Sequence, residues 1–169
     1  MSIVGLTLIL TLCSGCLWAP DLDRVRRDIE RQLPGSEFTK EIAFSLGPVT
    51  LGVAKLVTRF VPETEEARTY LADVSRVKVA IYEAENISDT GNVKIPKDLK
   101  KLLEKDGWEL VVKTHDDKGA TWILCQLEDD KLEGIYVVVL DRDELVLVRA
   151  HGNLERLFEK AMRENLAMR

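Results

Sequence analysis

The stretch Ile135-Tyr-Val-Val-Val-Leu140, Asp141-Arg-Asp143, Leu145-Val-Leu-Val-Arg-Ala150 decides the fold. Two β-rich runs flank a short acidic turn. That spacing suits a hairpin and is too short for a crossover, so the runs pair antiparallel. Two more runs precede them, Trp108–Thr114 and Thr121–Leu127, with turns at His115–Gly119 and Glu128–Lys131. Four strands in series with such turns predict a C-terminal meander. Val137, Val138, Val139 and Leu140 are apolar at both parities, which predicts a central strand covered on both faces.

Upstream, Arg76–Glu85 alternates as a strand, with Val77, Val79 and Ile81 on one side and Lys78, Ala80 and Tyr82 on the other. Glu37–Leu46 alternates in part and reads as another strand. Asp21–Leu33 has helical spacing, with Leu22, Val25, Ile29 and Leu33 on one face and Pro34-Gly35 as its stop. Val49, Val53, Leu56, Val57 and Phe60 form a second helical pattern stopped by Pro62, and Glu63–Asp73 a third. Asn86–Val93 is a polar loop, and Pro96 opens a helix running to Asp106 with Gly107 as its stop. A last helix follows Asn153, with Leu154, Leu157, Phe158, Ala161 and Met162 on one stripe. The expected fold class is α+β: a largely antiparallel sheet with a C-terminal β-meander and helices packed on it, a two-layer sandwich.

The N-terminus carries the targeting information. Met1 to Cys16 contains no charge, and Ile3–Leu12 has the length of a signal-peptide apolar region. Ser14 and Gly15 before Cys16 resemble a bacterial lipoprotein signal, although Cys13 stands where Leu is usual and nothing basic precedes the apolar run. An uncleaved anchor and ordinary secretion are the alternatives. On the lipoprotein reading, residues 1–15 are removed, Cys16 is the lipidation site, residues 16–20 are a short tether, and residues 21–169 form one domain. The protein then faces the periplasm from the cell envelope. Leu17 after the lipidated Cys favours an outer membrane where there is one.

Arg24, Arg27 and Arg31 group opposite the apolar stripe of the first helix. They read as a solvated face, with Arg24 helped by Asp28 four residues on, or as membrane-facing cations, together with Trp18 near the headgroups. The Val49–Phe60 pattern reads as a core-facing helix or as an interfacial membrane helix. Hydrophobic residues make up 46% of the chain and charged residues 31%, enough for a packed core. The net charge of −5 has both signs mixed, which argues against nucleic acid as a partner.

Chemistry is sparse in the pattern. The two histidines, His115 and His151, show no metal-ligand spacing. His115 lies in an acidic turn with Asp116 and Asp117, and His151 at a structural corner. Cys125 lies mid-strand with nothing electropositive beside it in sequence, so it reads as a buried, inert thiol. Trp108 and Trp122 read as core. No catalytic constellation, metal site or cofactor motif is expected.

Gly134 to Leu157, with its apolar strand, acidic turn, Glu144-Leu-Val-Leu-Val148, glycine and helix, resembles the C-terminal part of the DUF4252 family, and Leu71–Tyr82 resembles its middle strand. The resemblance implies an exported, often lipid-anchored protein and transfers no catalytic residue. The function expected is a lipid-anchored, non-enzymatic binding or structural domain. It would contact the membrane through its lipidated N-terminus and bind a protein or another envelope component through its sheet edge or the arginine face of its first helix. An interfacial lipid-binding module and an enzyme with a scattered site are the alternatives.

Overall fold

The structure is a computed structural model that describes residues 19–47, 73–87, 90–105 and 107–155. The targeting segment with Cys16 and Trp18, the Val49–Phe60 pattern, the Glu63–Asp73 pattern up to Asp73, and the last helix beyond Glu155 lie outside the described residues.

The described elements run α1 (Pro20–Glu30), β1 (Glu37–Leu46), β2 (Val74–Glu85), α2 (Lys97–Leu103), β3 (Trp108–His115), β4 (Ala120–Glu128), β5 (Lys131–Leu140) and β6 (Glu144–Gly152). All six strands form one open sheet in the order β1-β2-β6-β5-β4-β3, and every neighbouring pair is antiparallel. The fold is broadly α+β but dominated by the sheet, with two short helices among the described residues. The meander β3 to β6 is as expected from its turns. What joins it to the N-terminal pair is the β2–β6 ladder, in which Lys78 stands opposite Arg149 and Ala80 opposite Leu147.

Local chemistry explains the helices. Pro20 occupies the start of α1, where its missing N–H is harmless. Asp21 and Asp23 lie in the first turn and Arg27 in the last, matching the helix dipole. Leu22, Val25 and Ile29 are at most 1% exposed, and burying each contributes about 1.5–3 kcal/mol. The second helix is shorter than its periodicity predicts. It closes at Leu103 with Glu104 as its C-cap, and Pro96 is the N-cap.

The sheet's helix-facing side holds the larger core: Ala80 and Tyr82 of β2, Leu145 and Leu147 of β6, Val138 and Leu140 of β5, and Trp122 and Leu124 of β4. The central position expected for Val137–Leu140 is borne out, because β5 lies between β6 and β4. Its two parities differ, with Val138 and Leu140 buried and Val137 and Val139 half-buried. A smaller, separate cluster joins Val74, Cys125, Leu132 and Leu154.

Both edge strands carry a bulge, between Lys40 and Ile42 in β1 and between Leu110 and Val112 in β3. Charged Lys40, Glu41, Glu109 and Lys113 are exposed along them. Bulges and charges on an edge work against strand addition. At the end of β6, Gly152 has φ +134, and a Cβ there would lie 2.2 Å from the Asp73 carbonyl oxygen. Only glycine fits this crossing beside the irregularity between Val74 and Arg76.

Candidate functional site: a cation-rich cleft beside the first helix

Strand alternation sets up the site. In β6, Leu145 and Leu147 face the core, so Arg149 and His151 continue the same face. In β2, Tyr82 and Ala80 face the core, so Lys78 shares that parity. The register puts Lys78 opposite Arg149 on one side and Tyr136 opposite Arg149 on the other. The helix-facing side of the sheet is therefore apolar along most of its length and cationic at one end.

Asp21, in the first turn of α1, organises that end. Lys78 Nζ donates to both of its carboxylate oxygens, at 2.8 and 2.9 Å, and Arg149 Nη1 donates to Oδ2 at 3.3 Å. Burial pushes the Asp21 carboxyl up, but the hydrogen bond and charge of Lys78, a backbone hydrogen bond and the charge of Arg149 outweigh it. The net position is below the ordinary carboxylate range. Asp21 is therefore ionised at neutral pH.

Arg149 is packed between two rings, its Cζ 5.7 Å from the Trp108 centroid and 5.8 Å from that of Tyr136. Its Nε donates to His151 Nε2 at 3.0 Å, so that nitrogen is an acceptor. Burial and the charges of Arg149, Arg76 and Lys78 lower the His151 pKa, against a smaller opposing effect of Asp21. The Trp108 ring meets His151 edge-on, with centroids 5.9 Å apart. Glycine at position 134 gives the ring room: a Cβ there would lie 3.0 Å from the Gln126 side chain and 3.1 Å from the indole.

Between α1, α2 and this end of the sheet lies a surface cavity of about 290 Å³. Its polar lining is Arg24, Lys101, Arg149, Asp21, Asp98 and Tyr136, and Val25 and Leu102 add apolar wall. Three cations against two carboxylates leave one net positive charge, in a chain whose total is −5. A smaller hollow beside it is lined by Arg76, Lys78, Arg149 and His151. Tyr136 is 2% exposed, and its hydroxyl is one of three buried polar atoms that lack a partner among the described residues. An unpartnered buried hydroxyl costs about 1–3 kcal/mol. Burial and the nearby Asp21 raise its pKa, so it stays protonated and is a donor.

The structure sorts the residues singled out from sequence. Arg24 lines the cavity, and its Nε donates to Asp98 at 2.9 Å. This corrects the expected help from Asp28, which instead accepts from the Lys97 backbone N–H at 2.7 Å. Burial raises the Asp98 carboxyl, but Arg24 and Lys101 bring it below its ordinary value. Arg27 pairs with Asp23 at 3.1 Å and Arg31 with Asp28 at 3.8 Å, both guanidinium side chains more than half exposed. Neither lines the cavity. Cys125 is buried, as expected, and burial followed by the charge of Glu109 pushes its thiol up. Trp108 and Trp122 are core residues. Another cavity, of about 330 Å³, lies at the His115–Gly119 turn. There Asp116 accepts from the backbone N–H groups of Lys118 and Gly119, so its carboxylate serves its own turn. No cluster of potential metal ligands occurs among the described residues.

Sequence reading missed Arg149, Tyr136, Lys78 and Asp21. The signal for the two cations was present, since Lys78 shares the parity of buried Ala80 and Tyr82, and Arg149 that of buried Leu145 and Leu147. A family model described as "Domain of unknown function (DUF4252)" matches residues 40–156. Comparison with curated proteins and with solved structures gave no match.

Proposed function

This chain belongs to the DUF4252 family, and from its own residues we propose a lipid-anchored, non-enzymatic binding domain of the cell envelope whose ligand site is the cleft around Arg149. The observation that carries the binding role is the convergence of Arg24, Lys101 and Arg149 on a cavity lined by Tyr136, whose buried hydroxyl has no partner among the described residues. Such a site favours an anion that accepts hydrogen bonds.

The ionisation of the cleft supports binding over proton transfer. A general acid or base works best with a pKa near the operating pH. Asp21 is shifted down and Tyr136 up, each away from neutrality, while His151 Nε2 accepts from Arg149. At neutral pH Asp21 is a fixed charge, Tyr136 a donor and His151 a neutral acceptor. The anchor rests on Ser14-Gly15-Cys16 after the uncharged apolar run, with more than one acyl chain needed for stable attachment. The domain then stands on the periplasmic side, its N-terminus in the membrane.

Intact mass of the protein extracted from membranes tests the anchor. We expect an N-terminus at Cys16 bearing more than one acyl chain, and an unacylated Cys16→Ser chain released from the membrane fraction. An unmodified Cys16 in membrane-extracted protein would remove the lipid anchor from this reading.

A further inference from the structure

We infer that the cleft takes the phosphodiester of an anionic phospholipid headgroup. This inference rests on the cleft being the domain's anion site, and it adds what the anion is and where it comes from.

Charge and donor geometry argue for a phosphodiester. The cavity has one net positive charge, from Arg24, Lys101 and Arg149 against Asp21 and Asp98. A phosphodiester has one negative charge, and its oxygens are arranged tetrahedrally. The donors come from three directions: Lys101 from α2, which uses one of its three N–H bonds on Asp98 Oδ1 at 3.4 Å, Arg149 from β6 and Tyr136 from β5. A planar carboxylate is matched by one guanidinium fork. Here two edges of the Arg149 fork are already engaged, by Asp21 and His151, while the Tyr136 hydroxyl has no partner among the described residues. Val25 and Leu102 supply apolar wall for the glycerol carbons beside the phosphate.

Position argues for a lipid source. Asp21 lines the cavity and stands five positions after Cys16. Five residues of fully extended chain span at most about 18 Å. On the anchored reading, the tether holds this end of the domain at the headgroup layer. Arg24 is 57% exposed on its side chain and stands one turn further along the same helix. Arg76 and Lys78 in the adjoining hollow add positive charge at the same end of the sheet. The cavity and its cations thus lie at the end of the domain where Pro20 and Asp21 begin the first helix.

The test uses the acylated protein in a neutral detergent, titrated with three probes: dihexanoyl phosphatidylglycerol, dihexanoyl phosphatidylcholine and inorganic phosphate. Tryptophan fluorescence is a suitable readout because the Trp108 ring packs on Arg149. Two variants accompany the native chain. Tyr136→Phe deletes the unpartnered hydroxyl and keeps the ring, so it should fold with equal or greater stability. Arg76→Gln alters an exposed strand residue.

We expect phosphatidylglycerol to bind about tenfold or more tightly than either other probe. Tyr136→Phe should weaken it by about tenfold, the scale of one hydrogen bond to a charged group, and Arg76→Gln by a smaller factor. If inorganic phosphate binds as tightly as phosphatidylglycerol, the lipid source is wrong and the anion-site reading stands. Equal binding of phosphatidylcholine would show that the site does not select an anionic headgroup, and phosphatidylglycerol binding unchanged in both variants would place the lipid contact outside the cleft; either result overturns the inference. If no probe binds, the anion-site reading itself fails.

Discussion

His151 makes the stability of this domain depend on pH. It sits on the core parity of β6, half-buried, with Arg149, Arg76 and Lys78 around it, Asp21 as an opposing charge and the Trp108 ring against it. Burial comes first among the causes that hold its pKa below the ordinary 6.5, and the three cations add to it. A folded-state pKa below the unfolded value means that the unfolded chain binds more protons in the window between them. Stability from neutral His151 is full above pH 6.5 and is lost as pH falls from 6.5 through the folded value. Thermal unfolding followed from pH 7.5 to 5 should show that loss, and His151→Asn should remove it. A slope unchanged in His151→Asn would assign the effect elsewhere. The presence of a cation at position 149 was legible from alternation alone. Its partner Asp21 is 128 positions away, and no local pattern could supply it.

Among the elements, the β4–β5 hairpin separates what pattern reading reached from what it missed. The turn at Glu128–Lys131 was evident from its acidic run. The structure narrows it to two residues, Asp129 and Asp130, with φ of 49° and 62°. Both are left-handed, the condition of a type I′ turn, which Asn-Gly satisfies better than Asp-Asp. Replacing the pair with Asn-Gly should stabilise the protein by about 0.5–1 kcal/mol, seen as a higher urea midpoint at constant m-value. A lower midpoint would show that the aspartate side chains contribute more than the backbone strain costs. The first helix repeats the lesson. Its apolar stripe and its exposed Arg24, Arg27 and Arg31 follow from periodicity, and the pairs with Asp23 and Asp28 are local. Arg24 turned instead to Asp98 on α2, a partner chosen by how the two helices lie together. The second helix stopped at Leu103 although its pattern runs on, because the chain turns through Gly107, at φ +77, to enter β3.

At the scale of the whole molecule, one continuous sheet joins the β1–β2 pair to the meander through the β2–β6 ladder. The helix-side core runs unbroken from Ala43 and Tyr82 to Trp108 and Trp122. Tryptophan fluorescence and far-ultraviolet circular dichroism should therefore report one coincident unfolding transition. Two separated transitions would mean that the N-terminal pair and the meander are independent units. The sequence by itself determined the strands, the hairpin turns, the apolar face of α1, the burial of Cys125 and Trp122, and the family, because each depends on neighbours a few residues apart or on a continuous pattern. Tertiary structure alone decided that β2 lies against β6, that Arg24 pairs across helices, and that Asp21, Lys78, Tyr136 and Arg149 meet around one cleft. Side-chain parity reveals which face a residue takes. Which distant residue shares that face is set by the register of strands and the seating of helices, and those follow from packing the whole core at once.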